Sequence, residues 1–469
     1  MVLLGGAGAI LLFGKRPDME LPRDRVVVQY WEKWTGDEAE KMREVVEEFN
    51  RTVGAEKGIH VQFMSMSNIQ QKTLVATAAG VPPDIAGLFD SQLVQYAAKG
   101  ALEPLDEMAA EHGIGPGLYK PVYWKTCTYE GRLWALVSTP SAVALHYNQH
   151  EFYRSAGRLR QAGLDPFRPP RTLEELEKYA IALDRFDPQV PTRMVASGYL
   201  PMEPDWFTVV MPYWFGTWLF DESRQEFTLN DEPTVRAFSW IQGFAERLGP
   251  TSMGEFRSGF GAFNSSRNPF MIGKVAMVQQ GPWMGNFIFK LNPRMAEVLV
   301  PRGLAHTLPA PLRLFNYAYR VSTFPSAKDF GKEVTFCGAD LLVIPAGAKH
   351  KREAFEFIAF VQRPEISEKL CASHCKNSPM RATSSEFRTR HPNPHISEFE
   401  RLSSLESARG LPQVPVWTEA GAELTYSLQK MYLGEGDPRE VLNEAQRRVS
   451  LVWKEWRDRR TSRRPGAAQ

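Results

Sequence analysis

Apolar positions run almost without break from Val26 to Trp31, which predicts a buried strand, and Gly36-Asp37 then opens a stretch with Met42, Val45, Val46 and Phe49 at helical spacing. A second strand is predicted over Ile59 to Met64, a helix over Asn68 to Ala79, and a third strand over Ile85 to Phe89. Asp90-Ser91 supplies an N-cap, Leu93, Val94, Ala97 and Ala98 an apolar stripe, and Gly100 a stop, so another helix follows at once. Strands and helices in this alternation predict an α/β fold built on a doubly wound sheet.

In such a sheet, ligands bind beyond the carboxyl ends of the strands, where helix N–H groups point. Glu32 and Trp34 after the first strand, Ser65 after the second, and Asp90 and Ser91 after the third therefore share one rim. Each has a plainer reading. Asp90 at a strand-to-helix turn is also an ordinary cap, and a tryptophan at a strand end is also core.

Further along, Tyr129 to Asn148 reads as a turn and two apolar runs separated by a Ser138-Thr139-Pro140-Ser141 kink. Thr172 with Glu175 three residues on is a capping box that starts a helix to Phe186. Gly198 to Phe220 is the most aromatic stretch, and Trp214 and Trp218 would share one helix face. Gly273 to Trp283, GKVAMVQQGPW, predicts a strand, a tight turn and a helix, and lacks the glycine spacing of a phosphate loop. Ala354 to Gln362 is an amphipathic helix, and Asp437 and Pro438 start the last one.

At 469 residues and 43% hydrophobic content the chain exceeds one typical domain, so two are expected. The 56 basic and 54 acidic residues nearly cancel and form no stripe outside Arg457 to Arg464, which argues against nucleic acid as a partner. That basic tail reads as a solvated end. Met1 to Phe13 is apolar but shorter than the roughly 20 residues a bilayer span needs. It has the length of a signal-peptide core, although its charges, Lys15 and Arg16, follow it; residues 1–24 are read as an export signal or anchor plus linker. Four cysteines leave disulfides open, and the intervals among Cys371, His374, Cys375, His391 and His395 match no zinc finger, so neither metal nor cofactor is expected.

Five segments in order carry a resemblance: VVVQYWEKWTGDEAEKMREVVEEFN; PDI with Asp90 and YAAKGALEPLD; YEGRLWALVSTPSAVALHYN; GKVAMVQQGPW; and CGADLLVIPAGAKHKREAFEFIAFV. Together the chain resembles the family 1 extracellular solute-binding proteins of ABC importers, the group that includes maltose-binding protein. The resemblance implies a two-lobe periplasmic-binding-protein fold of type II, with doubly wound sheets joined by hinge crossings. It places residues 25–145 and 336–368 in an N-terminal lobe, 146–335 and 369–457 in a C-terminal lobe, and 458–469 in the tail. The crossings are expected at Leu145 to Asn148 and Phe336 to Leu341, and Asn292 to Lys332 reads as an insertion near the cleft.

The same resemblance implies a carbohydrate or polyol ligand, transmembrane permease subunits as partners, a monomer, no catalysis, and a place in the periplasm or at the cell surface. It puts Trp283 against a sugar ring and raises Trp206 and Trp214 as stacking candidates. Ser141 and Gly338 join the expected site, though Cys337-Gly338 departs from the Gly-Gly of many relatives. Arg381, in the NSPMR turn, is read as ligand contact, hinge brace or surface residue. Two rival readings stand beside this one: a binder of a glycerol-phosphate-type or other small polar solute, and a glycoside-cleaving enzyme using carboxylates such as Glu32 and Asp90.

Overall fold

The computed structural model describes residues 22–296 and 318–462. Residues 1–21 of the expected export signal or anchor, residues 297–317 of the expected insertion, and residues 463–469 lie outside that range. The described chain forms two α/β lobes, each around its own sheet and core.

In the first sheet β1 (Val26–Glu32) pairs in parallel with β2 (Ile59–Ser65) and with β3 (Ile85–Phe89). The register sets Glu32 beside Ser65, so the three strands end on one rim, as the alternation predicts. Helix α1 (Gly36–Arg51) buries Met42, Val45, Val46 and Phe49 against this sheet, and α2 (Asp90–Ala98) starts directly from β3. The sheet is completed by β4 (Leu136–Ala142) and β9 (Thr335–Val343), which run antiparallel to each other, with β9 also antiparallel to β3, and by the short Ala408–Arg409 strand parallel to β9. The second sheet runs from β8 (Tyr319–Ser322) through β5 (Ala144–Asn148) and β7 (Val275–Gln280) to β6 (Met194–Tyr199), with the short Arg185–Phe186 strand at its edge.

The chain changes sheets between Ala142, paired with Cys337 in the first, and Ala144, paired with Gln280 in the second. This crossing precedes the Leu145 to Asn148 segment, which is a strand inside the second sheet. Phe336 to Leu341 likewise lies within β9, after the return passage that ends near Thr335. The two passages are bonded side by side, the Val143 N–H donating to the Phe336 carbonyl at 2.9 Å and the Thr335 hydroxyl to the Val143 carbonyl at 2.8 Å.

Three expectations need correction. Leu370, Cys371, Met380, Phe387, Phe399 and Leu402 pack into the first core, so the segment after residue 369 covers that lobe before the chain returns to the second. The basic tail is not a free end as far as Ser462: helix Pro438–Ser462 carries it, and Arg460 pairs with Glu130 of the first lobe. Trp214 is not a ligand platform. It is 0% exposed, its indole N–H donates to the Val334 carbonyl at 3.2 Å, and Phe324 packs edge-on to it at 5.1 Å. Trp214→Ala is expected to cost about 3–5 kcal/mol of folding stability. Urea unfolding of the ligand-free protein measures this, and an unchanged midpoint would place Trp214 outside the core.

Candidate functional site

Between the lobes lies a cleft of about 1180 Å³ whose two walls differ in chemistry. The first lobe contributes Trp34, Glu38, Phe89, Asp90, Ser141, Gly338, Asp340 and Lys376. The second contributes an aromatic wall of Trp206, Phe207, Phe260, Phe263, Trp283 and Phe287, with Glu203 and Arg257 beside it.

A buried ion cluster underlies the polar wall. Asp340, alone among the apolar residues of β9 in carrying a charge, takes Lys33 on one carboxylate oxygen at 3.1 Å and Lys376 on the other at 2.7 Å. Burial by itself would raise the Asp340 carboxyl, but the two ammonium groups hold it well below the usual carboxylate range. Burial would likewise lower the Lys376 ammonium, and Asp340 outweighs it, keeping the lysine charged. Thr139 completes the cluster, its hydroxyl lying 3.0 Å from both the Lys376 ammonium and the Asp340 carboxylate. Lys33 lies over Trp34 at 4.6 Å and Phe89 at 4.9 Å, and Trp34 packs edge-on to His374 at 4.6 Å.

Beside this cluster Asp90 begins α2, its carboxylate accepting the N–H of Ala339 at 3.0 Å and of Ser91 at 2.8 Å. Burial nevertheless pushes the Asp90 carboxyl up to about 7. Glu38, in the first turn of α1, is also raised by burial. Gly338 keeps this corner open: a β-carbon there would stand 3.2 Å from the Ser141 hydroxyl and 3.5 Å from Asp90.

On the opposite wall, the turn after β7 sets Trp283. Gly281 is required there because a β-carbon on it would fall inside the Trp283 indole. Trp283 stands 6.2 Å from Phe207 and 6.4 Å from Trp206, and Phe263 bridges Trp206 and Phe287 with edge contacts at 4.7 and 4.8 Å. Trp206 is 51% exposed, an open ring face rather than a core residue. Arg257 is paired with Glu203 at 3.2 Å.

Of the residues expected at the site, Trp34, Asp90, Ser141, Trp206, Trp283 and Gly338 line the cleft. Glu32 does not: it is 0% exposed and turned inward, accepting the N–H groups of Lys33 at 2.6 Å and Trp34 at 3.1 Å and the hydroxyl of Tyr30. The Ser65 hydroxyl donates to the Trp34 carbonyl, so it braces the cleft from behind. Ser91 acts through its backbone, and Arg381 is exposed with its N–H donating to the Leu118 carbonyl at 2.8 Å. The NSPMR turn instead points inward, where Asn377 donates to the Tyr123 hydroxyl at 2.8 Å. All four cysteines are buried and free, and His391 and His395 make ring contacts to the carbonyls of Lys376 and Tyr319.

The reading from sequence missed Glu38, Glu203, Phe207, Arg257, Phe263, Asp340 and Lys376. Glu38 opens the helix at the rim of β1 and was within reach of the strand-end rule. A lone Asp in an apolar strand signals a paired buried charge, which was a second clue. Nothing local marks Lys376.

Residues 44–391 match the bacterial extracellular solute-binding protein family, and the chain belongs to it. It is similar to the maltotriose-binding protein of Pyrococcus abyssi, 22% identical over 361 residues, which is 75% of this chain and 66% of that one. Among solved structures it is similar to CpMnBP1 with mannotriose bound, at a TM-score of 0.74 and 22% identity, covering 91% of this chain and all of that one. The sugar-binding protein MalE from Xanthomonas citri superposes with a TM-score of 0.70 at 19% identity, over 94% of this chain and all of that one. These likenesses establish the type II two-lobe periplasmic-binding fold.

The Asp90 carboxyl gives a pH prediction. Its folded value of about 7 lies above the ordinary 3.8, so the folded protein retains a proton that the unfolded chain has released. The stability it contributes is whole below pH 3.8 and is lost as pH rises through about 7. Asp90→Asn should therefore remove a downward slope of at most about 1.4 kcal/mol per pH unit between those limits. Urea unfolding across that range checks it, and identical slopes for both proteins would refute the assignment.

Proposed function

We propose that this protein is the extracytoplasmic capture component of an ABC importer, taking a carbohydrate or oligosaccharide into the cleft and delivering it to transmembrane permease subunits. The observation that carries this reading is the opposition of the two walls. A sugar ring presents C–H bonds on its faces and hydroxyls round its edge, so it needs flat rings on one side and acceptors on another. Trp206, Trp283 and Phe207 supply the first, and Asp90, Glu38 and Ser141 the second. Contacts shared between both lobes favour the closed arrangement, which makes ligand capture a hinge motion about the paired crossings at Val143 and Thr335.

The rivals find less support. A phosphate-bearing solute needs cations free to receive it, and the cationic side chains of the cleft already face carboxylates, Lys376 toward Asp340 and Arg257 toward Glu203. Glycoside cleavage through Glu32 and Asp90 fails on geometry, since Glu32 is sealed behind β1. The domain limits that fit this reading place 25–142, the strand from 335 and the segment to about 408 in one lobe, and the remainder to 462 in the other.

Trp283→Ala is expected to weaken saccharide binding by about 2–4 kcal/mol, as for a buried aromatic anchor. Gly281→Ala should weaken it as well, because the added methyl displaces an indole that is still present. Calorimetric titration against a panel of sugars, with ligand-free melting as control, measures both. A large fall in melting temperature with unchanged affinity would take Trp283 out of the site. Separately, fractionation of cells carrying a tagged form should recover the protein outside the cytoplasmic membrane; recovery wholly in the cytosol would defeat the importer reading.

A further inference from the structure

Lys376 occupies an unusual place for a buried ammonium. Its side chain is 6% exposed and borders the cleft. It belongs to the segment packed on the first lobe, yet it lies 5.3 Å from the ring centroid of Trp34 in that lobe and 5.8 Å from that of Trp283 in the other. An ammonium has three hydrogens and no lone pair. Two are committed, one to Asp340 at 2.7 Å and one to Thr139 at 3.0 Å.

We propose that Lys376 is a specificity-determining residue of the cleft, donating its third hydrogen to an oxygen of a neutral saccharide seated against Trp34 and Trp283. The inference rests on the carbohydrate reading above and narrows it. Asp340 and Thr139 fix the ammonium, so the donor is set in place before the ligand arrives and the ligand need not order it. Asp340 and Glu32 together face the ammonium groups of Lys376 and Lys33, while Asp90 and Glu38 on the same wall form no ion pair with a lysine or arginine among the described residues. A uronate would bring a further carboxylate against those carboxyls, whereas a neutral sugar brings hydroxyls that both donate to them and accept from this ammonium. The same ammonium reaches toward rings of both lobes, so the bond it makes forms where the lobes meet.

The test is calorimetric titration of the full chain with neutral di- and trisaccharides of gluco, manno and galacto configuration, and with trigalacturonate. Wild type should bind a neutral member and prefer it to the uronate. Lys376→Met should bind that sugar about 10- to 100-fold more weakly, the range of one hydrogen bond to a charged group. Single-deoxy analogues of the same sugar supply the readout that a merely structural lysine would not move: one position should cost wild type about tenfold and cost Lys376→Met nothing. If Lys376→Met does not fold, the Lys376→Met, Asp340→Asn double variant preserves the charge balance and should show the same losses. Equal affinity and an unchanged deoxy pattern in the variant would overturn the role of Lys376 and leave the carbohydrate reading intact. Tighter binding of the uronate would overturn the ligand class, and a wild type that binds no member of the panel would overturn both readings.

Discussion

The carboxylate of Asp340 is the point on which the cleft is assembled. It lies in β9 between Phe89 of β3 and Thr139 of β4, and it gathers Lys33 from the end of β1 and Lys376 from beyond residue 370. A buried ion pair adds little net stability, because desolvating its members offsets their attraction. Losing one partner is another matter, since the remaining charge is stranded in a low-dielectric site. The cluster therefore acts as a constraint on position more than as a source of stability, and it holds Trp34, Phe89 and the start of α2 in one arrangement.

The opposite wall is held chiefly by packing, with the Arg257–Glu203 pair at its side and the Asn393 amide donating to the Pro282 carbonyl at 2.9 Å. Trp283 depends on the absence of a side chain at Gly281, and the rings from Trp206 to Phe287 are placed by edge and tilted contacts with one another. Aromatic contacts of this kind resist deformation less than a charged network does. One wall is thus fixed and hydrogen-bonding, the other apolar and adaptable. A polar ligand with flat apolar faces satisfies both, and the two passages between the lobes run bonded side by side at Val143 and Thr335.

The rim was legible because it follows from chain order. A βα alternation in the first hundred residues requires the strands to end together, so Trp34 and Asp90 were placed on the rim of the cleft from pattern alone, whereas Ser65, expected on the same rim, stands behind it. Trp283, Trp206 and Gly338 came from the family resemblance, on motifs this chain carries. Glu32 was misplaced for a reason of periodicity: side chains of a strand alternate, and Glu32 shares the face of Tyr30, turned toward Gly87 rather than the cleft. Trp214 and Arg381 were misplaced because exposure is a tertiary property; an aromatic helix turns one tryptophan to the core and another to solvent according to what packs against it.

What the sequence determined by itself was the class of fold, the strand ends that form the rim and the local turns that present Asp90 and Trp283, all consequences of periodicity and turn chemistry within a few residues. The tertiary structure alone decided that Lys33, Asp340 and Lys376 meet, that the chain after residue 369 covers the first lobe, and that the final helix reaches across to Glu130. Of these contacts, Asp340–Lys376 joins residues 36 positions apart, and Lys33–Asp340 and Glu130–Arg460 join residues separated by hundreds. Their energies depend on burial and on mutual distance, and neither quantity exists until the chain has folded.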